Sequence, residues 1–183
     1  MRRIPRGIEA VAHNDRAIWE KCFKRKALDL NSSLFEATSF CVTMGGMLKG
    51  FEEVEHTADI ALRVRGRDLR ELLVNAALGL GTLLTDHVDM PAEAVQTRPV
   101  EVDAFDPESL LVGWLSELIY WAEKDRFVCR AVEMQEISST HLKAICIGSC
   151  VPELRHHIKA VTYHNLQIVQ TDQGLETTVV FDV

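Results

Sequence analysis

From residue 60 onward the spacing of apolar positions changes period several times, and each change marks an element. Ile60, Leu62 and Val64 alternate with Ala61, Arg63 and Arg65, the period of a strand with one buried face, and Gly66 ends the run. Asp68, with Glu71 three residues on, has the form of a capping box. It opens a helix in which Leu69, Leu72, Leu73, Ala76, Ala77, Leu80, Leu83 and Leu84 recur at spacings of three and four. Val100 and Val102 sit in a short alternating strand. In Asp106-Pro107-Glu108 the Asp caps, the Pro takes the first helical position and the Glu meets the positive end of the dipole. The helix that follows carries Leu111, Trp114, Leu115, Leu118 and Ala122 on its inner stripe.

After Lys124-Asp125 the period returns to two. Residues Phe127–Ile137, His141–Cys150, Ile158–Gln170 and Leu175–Val183 read as four strands, the last two joined by the turn Thr171-Asp172-Gln173-Gly174. The predicted fold class is α+β, with two amphipathic helices packed on a mostly antiparallel sheet of six to seven strands. About 130 residues suffice for one such core.

Upstream of Phe51 the pattern is weak, and charge separates this part from the rest. Residues 1–50 hold nine Lys/Arg against five Asp/Glu, a net +4; residues 51–183 hold eleven against twenty-two, a net −11. Ile18, Trp19, Cys22 and Phe23 make a short apolar stripe, too small for a core of its own. Residues 1–50 are therefore expected to be a basic, poorly ordered extension or the product of a mis-assigned start ahead of Met44 or Met47, and residues 51–183 the working domain. No stretch approaches the roughly 20 apolar residues of a membrane span, and the N-terminus lacks a signal-peptide core, so the expected location is the cytoplasm. Five cysteines without a CxxC pair indicate neither a zinc ribbon nor a disulfide framework.

No GxGxxG, P-loop, GxSxG or HExxH is present, which leaves nucleotide cradles, nucleophile elbows and helical zinc sites without support. Three polar features remain. Glu55-His56-Thr57-Ala58-Asp59 crowds polar groups at the start of a strand, where His56 and Asp59 suit either a hydrogen-bonded turn or a site. At the other end of the chain, Asp182 and Val183 close an apolar strand. Were that strand held beside Asp59, two carboxylates and a terminal or backbone oxygen would converge, an all-oxygen set that suits calcium or magnesium and matches zinc poorly. The third feature is His156-His157-Ile158-Lys159-Ala160-Val161-Thr162-Tyr163-His164. Its histidines read more readily as exposed polar residues than as a zinc site, whereas Lys159 is a cation able to pair with the carboxylates or with a partner's phosphate.

Taken together, Glu55-His56-Thr57-Ala58-Asp59-Ile60, the helix Leu110 to Tyr120, the strand Ile158 to His164 and the ending Val180-Phe181-Asp182-Val183 resemble the archease family, in order and over roughly residues 51–183. The resemblance implies an accessory protein, not itself an enzyme, for the GTP-dependent 3′-phosphate RNA ligase of tRNA splicing and RNA repair, promoting its guanylylation and repeated turnover. By motif position it implies metal binding by Asp59 and Asp182 with Val183 completing the site, and a ligase-activating role for Lys159; His56, three residues before Asp59, is then a candidate to stand behind that site. Ser116 and the run Gly148-Ser149-Cys150 depart from the family pattern. The net −11 fits such a role. It opposes direct nucleic-acid binding and favours a basic protein surface. The alternatives are a metal-dependent phosphoester hydrolase, for which no general base is evident, and a general chaperone or scaffold for nucleic-acid enzymes.

Overall fold

In a computed structural model of the protein, residues 50–55, 59–86 and 94–183 are described. They form β1 (Phe51–Glu55), β2 (Ile60–Gly66), α1 (Leu69–Leu84), β3 (Gln96–Asp103), α2 (Pro107–Asp125), β4 (Phe127–Ile137), β5 (His141–Cys150), β6 (Ala160–Thr162), β7 (Val169–Thr171) and β8 (Gly174–Asp182). The expected 1–50 extension, Gly50 apart, lies outside the described residues, as do His56, Thr57 and Ala58.

The caps set the helix starts where the sequence places them. Asp68 accepts the Glu71 N–H at 2.8 Å, and the Glu71 carboxylate reaches back to the Arg67 N–H at 2.6 Å, one residue earlier than a reciprocal box would place it. Asp106 accepts the Ser109 N–H at 2.7 Å with Pro107 in the first turn, and that bond holds its carboxyl below the ordinary range. α2 stops at Arg126, which adopts the left-handed conformation and donates its N–H to the Ala122 carbonyl at 2.9 Å.

The strands fall into two antiparallel sheets rather than one. Five strands follow the order β1-β2-β8-β6, with β7 also on β8, and three follow β3-β5-β4. The α+β class holds; the single sheet of six to seven strands is corrected to five plus three. α1 explains the division, since it packs against both β2 and β4 and buries Leu72, Leu73, Ala76, Leu80 and Leu83 between the sheets. Its leucines meet Leu62, Val64, Val179 and Phe181 of one sheet and Val128 and Leu142 of the other in a single core. Each fully buried Leu or Phe contributes roughly 1.5–3 kcal/mol. Trp114, wholly buried on α2, donates its Nε1–H to the Leu73 carbonyl at 3.0 Å and so ties the helices to each other.

Two further expectations are corrected. The predicted strand Ile158–Gln170 is broken into β6 and β7, because a turn intervenes at Tyr163–Leu166 with Asn165 in the left-handed region. β1 is an additional strand, paired with β2 from Phe51↔Val64 to Glu55↔Ile60. β3 is longer than expected and contains Pro99, which a strand on the rim of a sheet tolerates. The turn between β7 and β8 stands as read, with Thr171 opposite Gly174 and a positive φ at Gly174.

Candidate functional site

β8 is the strand around which the candidate residues gather. Its antiparallel register with β2 runs from Gly66↔Leu175 to Ile60↔Phe181. One step further puts Asp59 opposite Asp182. Alternation gives the two the same side of the sheet: Phe181 and Val179 face the core with Ile60 and Leu62, whereas Asp59 and Asp182 follow Ala61 and Val180 on the opposite face. Asp182 is exposed and Asp59 partly so.

Lys159 arrives from the other neighbour. After β5 the chain is pinned by three apolar anchors, Val151, Leu154 and Ile158, and by the Arg155 N–H donating to the Leu84 carbonyl at the end of α1 at 2.8 Å. Lys159 follows directly. Its N–H donates to the Asp182 carbonyl at 2.8 Å, Ala160 then pairs with Asp182, and its Nζ donates to the Val183 backbone oxygen at 2.8 Å. Asp59, Asp182, Val183 and Lys159 thus lie at one end of the five-stranded sheet although 124 positions separate the first from the last.

The donor set offered to a cation here is two carboxylates and backbone oxygen, one of which already accepts from Lys159. That suits a hard, largely hydrated divalent ion better than a closed protein cage, since calcium takes six to eight oxygens and magnesium keeps several waters. Among the described residues no group of three or more His, Cys, Asp or Glu side chains converges. The histidines of the 156–164 stretch disperse accordingly. His157 Nδ1 lies 3.1 Å from a Glu123 carboxylate oxygen, His164 is next to the Asn165 amide, and the buried Nε2 of His156 has no hydrogen-bond partner. His56, proposed close behind Asp59, lies outside the described residues.

One feature of this end is not legible from periodicity. The exposed ridge Ser116, Tyr120 and Glu123 on α2 borders an open groove whose floor is the buried Ile119 and Ile158 and whose far wall is Lys159. The inner stripe of α2 was readable, and Tyr120, lying off that stripe, was the available signal. The contact itself joins segments about 40 residues apart.

Of the cysteines among the described residues, Cys129 and Cys146 are buried and Cys150 is exposed; the hydrogen bond that the Cys146 thiol donates to Cys129, together with burial, pushes its pKa far up, so that it stays protonated. No helix among the described residues is long and apolar enough to cross a membrane.

Comparison with known proteins bears on the family and the fold. Residues 51–183 match the model of the Archease protein family. The archease of Methanosarcina acetivorans is 36% identical over 143 residues, covering 74% of this chain and 97% of that protein. The archease of Saccharolobus islandicus is 32% identical over 141 residues, 74% of this chain and 100% of its own. The solution structure of a Methanobacterium thermoautotrophicum protein matches with a TM-score of 0.60 at 32% identity, over 74% of this chain and 100% of that one. The crystal structure of a Thermotoga maritima archease, described there as a possible chaperone, matches with a TM-score of 0.54 over 72% of this chain and 96% of its own; at 24% identity it speaks to the fold alone.

Proposed function

The chain belongs to the archease family, and from that premise we propose that it is an activator of the GTP-dependent 3′-phosphate RNA ligase, promoting guanylylation and repeated turnover of that enzyme in tRNA splicing or RNA repair. The observation that carries this reading is the convergence of Asp59, Asp182 and Lys159 at one sheet end of a domain with net charge −11. A surface of that sign is repelled by RNA phosphates and drawn to the basic surface of an RNA-binding enzyme.

In this proposal Asp59 and Asp182 hold a divalent cation, with calcium or magnesium the suitable ions and the Val183 oxygen at its margin. Bound there, such an ion supplies a positive centre for phosphate oxygens. Lys159 supplies a second positive charge on a fixed mount: its backbone is bonded to Asp182, and its ammonium rests on the Val183 oxygen, from which it can exchange to a stronger acceptor such as a phosphate. The protein's own part is to hold two carboxylates and one ammonium in a rigid strand register and to bring them to the ligase.

The test is guanylylation of the ligase from the same organism, with and without this protein. Stimulation by the wild type, lost in Asp59→Ala, Asp182→Ala and Lys159→Ala, is the expected result. No stimulation by the wild type refutes the proposal. Undiminished stimulation by all three variants transfers the case to a general scaffold, and sustained turnover of nucleotides or RNA ends by the purified protein alone transfers it to the hydrolase.

A further inference from the structure

The groove beside Lys159 has a chemistry that the carboxylate site does not use. Its floor is apolar, with Ile158 fully buried and Ile119 nearly so, yet it opens to solvent. Tyr120 stands at its edge 53% exposed, although it belongs to a well-anchored helix. The ring is held in place: Lys124 Nζ lies 2.8 Å from the Tyr120 hydroxyl and 5.0 Å from the ring centroid. A fixed, half-exposed tyrosine over an apolar floor is the composition of an interface centre rather than of ordinary surface.

Size and charge narrow the occupant. The cavity is about 290 Å³ and open on one side, which holds one or two side chains but is small for a nucleotide or an organic cofactor. Glu123 lies at the mouth, with His157 Nδ1 3.1 Å from its carboxylate, and Glu117 lies on the adjoining exposed face of α2; the cations Lys159 and Lys124 are engaged by the Val183 oxygen and the Tyr120 hydroxyl, and the domain as a whole carries a net charge of −11. A partner segment with apolar and basic side chains is complementary to this. Position narrows it further, because Lys159 is both the far wall of the groove and the residue bonded to Asp182 and Val183. Whatever fills the groove lies beside Lys159, the residue bonded to the strand end that carries Asp182.

We infer that this groove is the docking site for an extended segment of the RNA ligase, which seats an apolar side chain against Ile119, Ile158 and Tyr120 and places a neighbouring Arg or Lys against Glu123 and Glu117. The inference rests on the ligase reading above and divides the labour: the groove sets affinity, and Asp59, Asp182 and Lys159 act once the complex has formed.

The experiment measures binding and stimulation separately, with the full chain and the ligase of the same organism. Fluorescence anisotropy of the labelled chain gives Kd, and guanylylation as a function of concentration gives the stimulation. Ser116→Trp fills the groove from an exposed helix position, and Tyr120→Ala removes its edge. Each is expected to raise Kd about tenfold or more, the scale of losing one aromatic anchor, with stimulation recovering as concentration rises. Tyr120→Phe keeps the ring and should bind as the wild type does. Glu117→Lys combined with Glu123→Lys should weaken binding and flatten its dependence on salt. Unfolding curves of each variant distinguish lost binding from lost folding.

Wild-type Kd values for both Ser116→Trp and Tyr120→Ala overturn the inference, as does a loss of stimulation at saturation with Kd unchanged. If the wild type binds but does not stimulate, the activator reading fails while the Kd series still decides the groove. If the wild type does not bind at all, both fall.

Discussion

β2 and β8 carry charge at two places on the same face of one sheet, and the two places are built in opposite ways. Between the middle of β2 and its Gly66 end charges of opposite sign stand in direct register. Arg65 faces Glu176 across the ladder and bonds it at 2.5 Å, Arg63 faces Glu52 at 2.9 Å, and Arg65 also reaches Glu52 at 3.2 Å. The result is a closed network in which Arg65 holds the Glu52 carboxyl below its ordinary range, with a smaller effect from Arg63. At the opposite end, one step past the last ladder pair, the same register sets two carboxylates, Asp59 and Asp182, across from each other, and the nearby ammonium of Lys159 rests on a backbone oxygen. Cross-strand neighbours of like sign are destabilising. The first arrangement matches opposite charges across the ladder; the second groups charges of like sign, and a like-sign grouping is the better pointer to function.

Four experiments sharpen or break this contrast, in order of expected size. Trp114→Ala should cost about 3–5 kcal/mol, because it removes a wholly buried ring and leaves the Leu73 carbonyl without its donor. Denaturant unfolding measures this, and it sets the scale against which both charged regions are small. Next, Asp59→Ala combined with Asp182→Ala should lower ligase stimulation about 100-fold, equivalent to roughly 2.7 kcal/mol. The melting temperature should stay level or rise, whereas a large fall would mean that the pair is structural and the contrast is lost.

Arg65→Met should do the reverse: a stability loss of about 0.5–1 kcal/mol from a half-buried pair, with stimulation unchanged at saturation. The smallest effect belongs to the other sheet. His141 Nδ1 lies 2.8 Å from an Asp103 carboxylate oxygen, and that bond, followed by the Asp103 and Glu101 charges, raises the His141 pKa above its usual 6.5. A raised value means that the protonated pair supports the fold fully below about pH 6.5 and that the support fades as pH climbs through the folded-state value. Thermal melts of wild type and His141→Gln should therefore converge towards pH 8 and separate towards pH 5.5.

Much of this fold could be read from the chain because helices announce themselves locally. Leu69 to Leu84 and Leu111 to Ala122 repeat at helical spacing, and Asp68 and Asp106 cap them in sequence and in structure alike. β1 was missed because Phe-Glu-Glu-Val-Glu does not alternate, and what makes it a strand is its partner β2. The break between β6 and β7 depended on Asn165 adopting a left-handed turn that its neighbours, Tyr163 and His164, do not signal. The division into two sheets is a tertiary decision, taken by α1 lying against β2 and β4 together. At the site, Asp59, Asp182 and Lys159 could be named from residue type and family pattern, yet their meeting needs the register of two strand pairs. The groove needs α2 and the 157–159 segment side by side, which no short window of sequence contains.

Pro99 has a bearing on how copies of this protein behave when crowded. β3 ends the three-stranded sheet, and an end strand is a template on which another chain's strand can grow. A proline in its middle, flanked by Arg98 and by the exposed Glu101, withholds one N–H from any such growth and sets charge beside the gap. Growth of a further strand on the β3 edge is thereby discouraged by the covalent chain itself, whatever conformation the approaching segment brings.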